Sequence, residues 1–114
     1  MQLPTLIGVV HLPALPGSPL ASVPIDQIVR TAVAEAAVLQ DSGFQAVILE
    51  NFGDVPFYPT SVPPLVVACM TACACEVRKE LEIGLGINVL RNDPLSALAI
   101  AFAARADFIR VNGL

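Results

Sequence analysis

Short apolar runs, typical of buried strands, alternate along the chain with longer segments that are predicted to be helical. Four runs are apolar and partly β-branched, as expected for strands buried on both faces: TLIGVVHL (5–12), AVILEN (46–51), IGLGINVL (83–90) and FIRV (108–111). The order βαβαβαβ carries no hairpin signal. It therefore predicts an α/β fold with a parallel sheet and right-handed crossovers.

Proline, glycine and aspartate mark the ends of the predicted helices. Pro24 suits the first turn of the first helix, and Gly43 closes it. A Pro-Pro pair at 63–64 opens the second helix, which runs to about residue 81. Asp93 suits the N-cap of the third helix, with Pro94 at its first helical position. The third helix extends to about residue 106 and is almost wholly apolar, which indicates packing on both sides.

Four parallel strands fit either a small doubly wound domain or the first half of a (β/α)₈ barrel, which takes roughly 250 residues. The chain ends directly after the fourth predicted strand. An uncovered apolar sheet edge is a liability that complete proteins avoid. We therefore expect one domain, residues 1–114, that forms the N-terminal half of a barrel, truncated after the fourth strand. Its expected partner is the missing C-terminal half-barrel or another copy of the chain.

The composition favours a partner that covers apolar surface and argues against nucleic-acid binding. Hydrophobic residues make up 55% of the 114 and charged residues 14%, against about a quarter charged in ordinary globular chains. So few charges leave apolar surface that a partner would cover. The net charge of -4 argues against nucleic-acid binding, which requires a basic face.

The chain shows no predicted membrane span, export signal or metal-binding cysteine pattern. Prolines interrupt the uncharged first 25 residues, and the apolar run at 63–75 is too short to cross a bilayer. We therefore expect a cytoplasmic protein. Cys69, Cys73 and Cys75 fit no zinc or disulfide spacing and are predicted to be small buried hydrophobes.

Polar residues are scarce, yet they follow the predicted strands at the point where each one ends. In parallel α/β folds the ligand site lies at this carboxyl edge. The candidate site residues are His11, Glu50, Asn51, Asp54, Asn88, Arg91, Asn92, Asp93, Arg110 and Asn112.

Most of these positions also have a structural interpretation. Asp93 fits a helix N-cap better than a catalyst. His11 could be an ordinary hydrogen-bonded residue at a strand end, and Arg110 could form a structural ion pair. Side chains that satisfy turns would explain Asn51, Asp54 and Asn92.

Glu50 is the strongest catalytic candidate, and His11 is the second. It follows four apolar residues, so its carboxylate should lie in partly desolvated surroundings that suit a general acid or base. A divalent cation such as Mg²⁺ is an alternative, held by Glu50, Asp54 and Asp93, although no strict ligand spacing supports it. The chain contains no G-x-G-x-x-G, P-loop or G-x-S-x-G motif, so the reaction class stays open.

Five blocks give the chain a family resemblance: IGVVHLPALPGSP, ENFGDVPFYP, VPPLVVACMT, GINVLRNDPLSALAIA and ADFIRVN. They resemble the BtpA family, which is also called SgcQ-like, over essentially the whole chain. The resemblance implies a (β/α)₈ barrel of the ribulose-phosphate-binding group, of which this chain is the N-terminal half. The loop after LPGSP lacks the Trp-Gly of many relatives, so specificity carried by that loop could differ.

The resemblance implies two functions of different kinds. The family takes its name from a cyanobacterial factor for photosystem I accumulation, peripheral to the thylakoid membrane at its cytoplasmic face. Members from organisms without photosynthesis imply instead a barrel enzyme acting on a sugar-phosphate-like or nucleoside-like molecule. Glu50 would then be the acid or base, with His11, Asn88 and Asn112 positioning the ligand. We expect the isolated chain to be inactive and to bind phosphorylated ligands weakly, because many barrels grip phosphate after strands seven and eight.

Overall fold

A computed structural model describes residues 6–18, 21–51, 53 and 61–112. In chain order the elements are β1 (Ile7–His11), α1 (Ile25–Asp41), β2 (Ala46–Glu50), α2 (Pro64–Glu80), β3 (Gly84–Asn88), α3 (Pro94–Ala104) and β4 (Phe108–Ile109). The strands form one parallel sheet in the order β1-β2-β3-β4, with one helix between each neighbouring pair. This arrangement confirms the predicted α/β fold, with the four strands and three helices of half a (β/α)₈ barrel.

The strands lie in register, so their side chains form rows across the sheet. Because successive residues of a strand face opposite sides, every second row faces the helices. The row of Val10, Leu49 and Ile87 belongs to the core shared with the helices. The neighbouring row of His11, Glu50 and Asn88 therefore lies on the opposite face, where a barrel has its interior.

The core lies between the sheet and the three helices. α1 packs against α2, and α2 packs against α3. Many of the buried helical side chains are small, which allows the helices to approach one another and the sheet: Ala32, Ala36, Cys73, Ala74, Ala97, Ala101 and Ala104. Larger residues such as Met70 and Ile100 fill the remaining space and are almost fully buried.

The helix boundaries agree with the sequence signals to within two residues. Pro24 is extended at the N-cap, so α1 begins one residue later than its first predicted position. Asp93 is the N-cap of α3, as predicted, and accepts a hydrogen bond from the Ser96 N–H. α3 ends at Ala104 instead of residue 106, because Arg105 adopts the left-handed conformation with φ 58°.

β4 has two residues, although four were predicted. The Arg110 N–H still donates to the Ile87 carbonyl at 2.9 Å. The Arg110 carbonyl, however, accepts from the Asn88 side chain at 2.6 Å. The Asn88 side-chain amide thus donates to this carbonyl in place of a backbone N–H of β3, and β4 ends here.

Two of the three cysteines are buried as predicted, whereas Cys75 is only partly buried. None of the three forms a disulfide bond, and Cys69 and Cys73 are buried in the core. Burial, with a smaller contribution from Cys69, raises the pKa of Cys73 to about 12. This thiol therefore stays protonated and packs as a small apolar group.

Two edges of the described structure carry exposed apolar side chains. On one side these are Leu6, Ile7 and Val38, and on the other Leu95, Leu98, Phe102 and Val111. Phe102 is 88% exposed although it lies in the last turn of an apolar helix. No described helix combines the length and the apolar character needed to cross a bilayer.

Candidate functional site

Polar side chains from the ends of all four strands meet on the face of the sheet opposite the helices. His11, Glu50 and Asn88 lie directly opposite one another in the parallel register. Arg110 follows β4 and comes two residues after Phe108, whose ring lies over Gly86 on this same face. The predicted meeting of polar residues at the carboxyl edge is therefore present for these four.

The Glu50 carboxylate is buried and lies between two basic side chains. Its Oε1 is 3.6 Å from His11 Nε2, and its Oε2 accepts a hydrogen bond from Arg110 Nη2. The Glu50 side chain is 6% exposed, against 54% for His11 and 44% for Arg110. A buried carboxylate requires such partners, because an unpaired charge away from water is strongly unfavourable.

This geometry divides the roles of the two predicted catalytic residues. Glu50 is withdrawn from solvent and can orient the imidazole and balance its positive charge. His11 is the more accessible of the two and can meet a ligand. The pair therefore places a partly exposed imidazole beside a buried carboxylate.

Both polar atoms of the Asn51 side chain form hydrogen bonds with the backbone of Leu90. Its Nδ2 donates to the Leu90 carbonyl at 3.1 Å, and its Oδ1 accepts from the Leu90 N–H at 2.6 Å. Asn51 thus joins the segment after β2 to the segment after β3. Its amide is used to hold the edge of the site together, which leaves it little capacity for a ligand.

Two further asparagines join the ends of β3 and β4. Asn88 Nδ2 donates to the Arg110 carbonyl, with a longer contact of 3.4 Å to Asn112 Oδ1. Asn112 Nδ2 donates to the Arg91 carbonyl at 2.5 Å. Asn88 Oδ1 is buried and has no hydrogen-bond partner among the described residues, and the same is true of Asn92 Oδ1.

Asp93 serves the structure of the loop and helix, as its position before Pro94 suggested. Its Oδ2 accepts from the Val62 N–H at 2.8 Å and from Ser96 Oγ at 2.7 Å. Burial opposes the charged form, but the hydrogen bonds from Ser96 and Val62 outweigh it and lower the pKa of Asp93. The carboxylate therefore stays ionised while it caps α3 and holds the segment before α2.

Asp93→Ala is expected to lower the free energy of unfolding by about 2 kcal/mol at neutral pH, because a cap is lost and the Val62 N–H loses its acceptor. A lowered folded-state pKa gives stability that is present above the unfolded pKa, about 3.9, and lost as the pH falls through the folded value. Urea unfolding should therefore show a constant difference from wild type between pH 8 and 5, which shrinks below about pH 4.

Asp26→Ala is the matched control for this experiment. Its carboxylate pairs with Arg30 on the surface, and both side chains are exposed. We expect a change below about 0.5 kcal/mol at any pH. An Asp93→Ala difference that is equally large at pH 3 and pH 7 would contradict the assigned role of the ionised carboxylate.

The described residues give no support to the cation alternative. They contain no group of three His, Cys, Asp or Glu side chains placed to hold a metal ion. The oxygens of Glu50 and Asp93 are already engaged by protein groups. The third candidate ligand, Asp54, lies outside the described residues.

The segments around Leu12 and Gly53 support the site but were not among the predicted residues. The Leu12 N–H donates to the Glu50 carbonyl at 2.8 Å, and the Gly53 N–H donates to the Leu12 carbonyl at 2.9 Å. A Cβ atom at Gly53 would lie 2.5 Å from the backbone N of Ala14. The glycine in the string ENFGD is the sequence signal for this close approach of two loops.

Comparison with known proteins identifies the family. The BtpA family model matches residues 2–114. An uncharacterized protein of Pyrococcus horikoshii is 50% identical over 109 residues, covering 96% of this chain and 42% of that protein. An uncharacterized protein of Archaeoglobus fulgidus is 53% identical over 110 residues, covering 96% of this chain and 44% of the relative.

A relative with a functional name comes from Synechocystis. The photosystem I biogenesis protein BtpA of that organism is 44% identical over 109 residues, covering 96% of this chain and 38% of the relative. No solved structure matches the chain. The chain spans about two-fifths of the length of these curated relatives. The family match over nearly the whole sequence shows that this chain belongs to the BtpA family.

Proposed function

We propose that, within a complete barrel, the Glu50–His11 pair transfers a proton to or from a small polar molecule bound at the carboxyl ends of β1–β4. The observation that supports this is the contact between a buried carboxylate and a half-exposed imidazole, 3.6 Å apart. The ligand class that we propose is sugar-phosphate-like or nucleoside-like. Asn88, whose side-chain oxygen has no hydrogen-bond partner among the described residues, offers an acceptor beside the pair for such a ligand.

A chimera tests this proposal, because it supplies the length that this chain lacks. The chain replaces the matching 109 residues of the Pyrococcus horikoshii relative. The purified chimera is incubated in D₂O with aldoses, ketoses, their phosphates and ribonucleosides, and ¹H NMR follows deuterium incorporation and product formation. We expect at least one compound to react, with a rate at least about 100-fold lower for His11→Gln.

Two results would count against the proposal. A reaction whose rate is unchanged by His11→Gln would place the chemistry elsewhere in the protein. A panel in which no compound exchanges or reacts would remove sugar-like and nucleoside-like molecules as the ligand class. Gln27→Ala, which changes an exposed residue of α1, is the control for non-specific effects of substitution.

A role in photosystem I biogenesis is the second candidate, and it is favoured by the 44% identity to the Synechocystis relative. Such a factor would act by contact with a large partner, and the exposed apolar residues Leu65 and Leu95, at the first turns of α2 and α3, offer a surface for it. Peripheral association with the thylakoid would accompany this role in a photosynthetic source. Relatives of similar identity in Pyrococcus and Archaeoglobus, which are not photosynthetic, favour the small-molecule function.

Complementation separates the two candidates. A chimera with the remainder of the Synechocystis protein is expressed in a Synechocystis strain that lacks its own copy. The biogenesis role requires recovery of photosystem I that survives His11→Gln and is lost with Leu95→Asp. The small-molecule role requires recovery that is lost with His11→Gln and survives Leu95→Asp.

We further propose that the exposed apolar edge between α3 and β4 docks the C-terminal half of a barrel. A groove at this edge is lined by Leu98, Phe102, Phe108 and Ile109. The greater length of the relatives supports this partner, since more than half of each lies outside the match. Ultracentrifugation of the chain mixed with the remainder of the Pyrococcus horikoshii relative should show a 1:1 complex. A compact monomer that forms no complex, or a stable homodimer, would contradict it.

A further inference from the structure

The Arg110 side chain crosses the end of β3 to reach Glu50. The sheet order places β3 between β2, which carries Glu50, and the end of β4, which carries Arg110. Neighbouring strands are about 4.8 Å apart, so the two backbones are separated by roughly 10 Å. The guanidinium nevertheless donates to the Glu50 carboxylate. The Arg110 side chain therefore passes over the β3 residue on the same face, which is Asn88.

Beneath the Arg110 side chain, the Asn88 side-chain oxygen accepts no hydrogen bond from the described residues. Its Nδ2 is directed towards β4, where it contacts the Arg110 carbonyl and Asn112 Oδ1. Both partners are acceptors, which fixes the orientation of the carboxamide. Because the carboxamide is planar, Oδ1 is directed the other way, towards Glu50 on β2. Asn88 is 1% exposed, and this oxygen has no partner among the described residues.

Two acceptors, the Glu50 carboxylate and Asn88 Oδ1, thus lie side by side under a guanidinium. A buried acceptor without a donor is unfavourable, so this position favours a group that donates hydrogen bonds. Each of these two acceptors needs its own donor once Arg110 has moved aside. A group with two neighbouring donors therefore fits this position, and a vicinal diol is such a group.

We propose that Glu50 and Asn88 form a subsite for the vicinal diol of a sugar-like ligand, and that the Arg110 side chain is a displaceable cover over it. This inference rests on the proposed small-molecule function, because it names the group that the same site recognises. Arg110 is 44% exposed, so its side chain has room to move into solvent. The diol then donates one hydrogen bond to Glu50 and one to Asn88 Oδ1.

NMR on the ¹⁵N-labelled 114-residue chain tests the subsite directly. Methyl β-D-ribofuranoside, which carries a cis diol, should shift the Asn88 carboxamide and Arg110 Nε–H resonances in a saturable manner. The matched 2-deoxy compound should shift them at least fivefold less at the same concentration. Methylammonium chloride, a cationic donor, should shift neither resonance.

The direction in which Arg110→Met changes the Kd for the riboside distinguishes a cover from a residue that binds the ligand. Arg110→Met keeps the apolar stem and removes the guanidinium, so a displaceable cover predicts a Kd for the riboside at least threefold lower than wild type. If Arg110 instead clamps the ligand, the Kd rises and the proposal is overturned. Arg30→Met, on the exposed surface of α1, should leave the Kd unchanged.

The wild-type titration keeps the test decisive if Arg110→Met does not fold. Saturable shifts at Asn88 with the riboside, and not with its deoxy analogue, support the subsite. Absence of these shifts, or equal shifts with methylammonium, overturns it. Diol binding in this chain together with a chimera that catalyses no proton transfer would retain the subsite and reject the proposed function. A chimera that catalyses proton transfer, together with a chain that does not bind the diol, would retain the proposed function and reject the subsite.

Discussion

Replacing Glu50 with glutamine is expected to lower proton-transfer turnover in the chimera by about 100- to 10,000-fold, the usual contribution of a positioned acid or base. Glutamine has nearly the same shape and can still accept a hydrogen bond from Arg110. It cannot carry the negative charge that balances a protonated His11, 3.6 Å away in the structure. The rate should therefore fall while the ligand still binds.

The same substitution is expected to change the free energy of unfolding by less than about 1 kcal/mol. The charge-assisted hydrogen bond from Arg110 weakens, but the carboxylate no longer has to be desolvated in a side chain that is 6% exposed. Thermal unfolding and steady-state rates on the same preparation measure both quantities. Glu35→Gln, on the exposed face of α1, is the control and should alter neither. An unfolded Glu50→Gln variant would show that the residue is structural.

The fold was predictable because local signals and the global arrangement agree. Apolar β-branched runs located the strands, and Pro64, Asp93 and Pro94 located two helix starts to within a residue. β4 was predicted too long, because Val111 is apolar and β-branched and follows Arg110 directly. The strand ends where the Asn88 side chain takes the Arg110 carbonyl, and such a contact between distant residues leaves no mark on the local pattern.

The meeting of the candidate polar residues was predictable in position but not in detail. Parallel strands bring their carboxyl ends to one edge, so the meeting of His11, Glu50 and Asn88 followed from topology alone. The engagement of Asn51 by Leu90 did not follow, because these residues are 39 positions apart and belong to different loops. An ion pair of Arg110 with a carboxylate was one of the interpretations of the sequence, and the structure contains it. The reach across β3 to Glu50 depends on rotamer and register, which a single sequence does not specify.

A methyl group at Gly86 is expected to lower the free energy of unfolding by about 1–3 kcal/mol, the usual range for overpacking. The Phe108 ring lies over Gly86, and a Cβ atom there would come within 2.5 Å of ring carbon Cζ, closer than real Cβ contacts allow. Gly86 has no positive φ, so the expected loss comes from the ring and not from backbone strain. Gly84→Ala is the matched control on the same face, since its nearest neighbour is the Ala46 Cβ at 3.2 Å.

A double-mutant cycle with Phe108→Leu identifies the ring as the obstacle. Leucine is smaller, so the Gly86→Ala loss should fall below about 1 kcal/mol in the Phe108→Leu background. Additive effects in urea unfolding would show that the ring is not what Gly86 accommodates. Phe108 is two residues before Arg110 and lies on the same face of the sheet. A ring displaced by Gly86→Ala should therefore also disturb the Arg110–Glu50 contact, and the Arg110 Nε–H resonance should shift in that variant but not in Gly84→Ala.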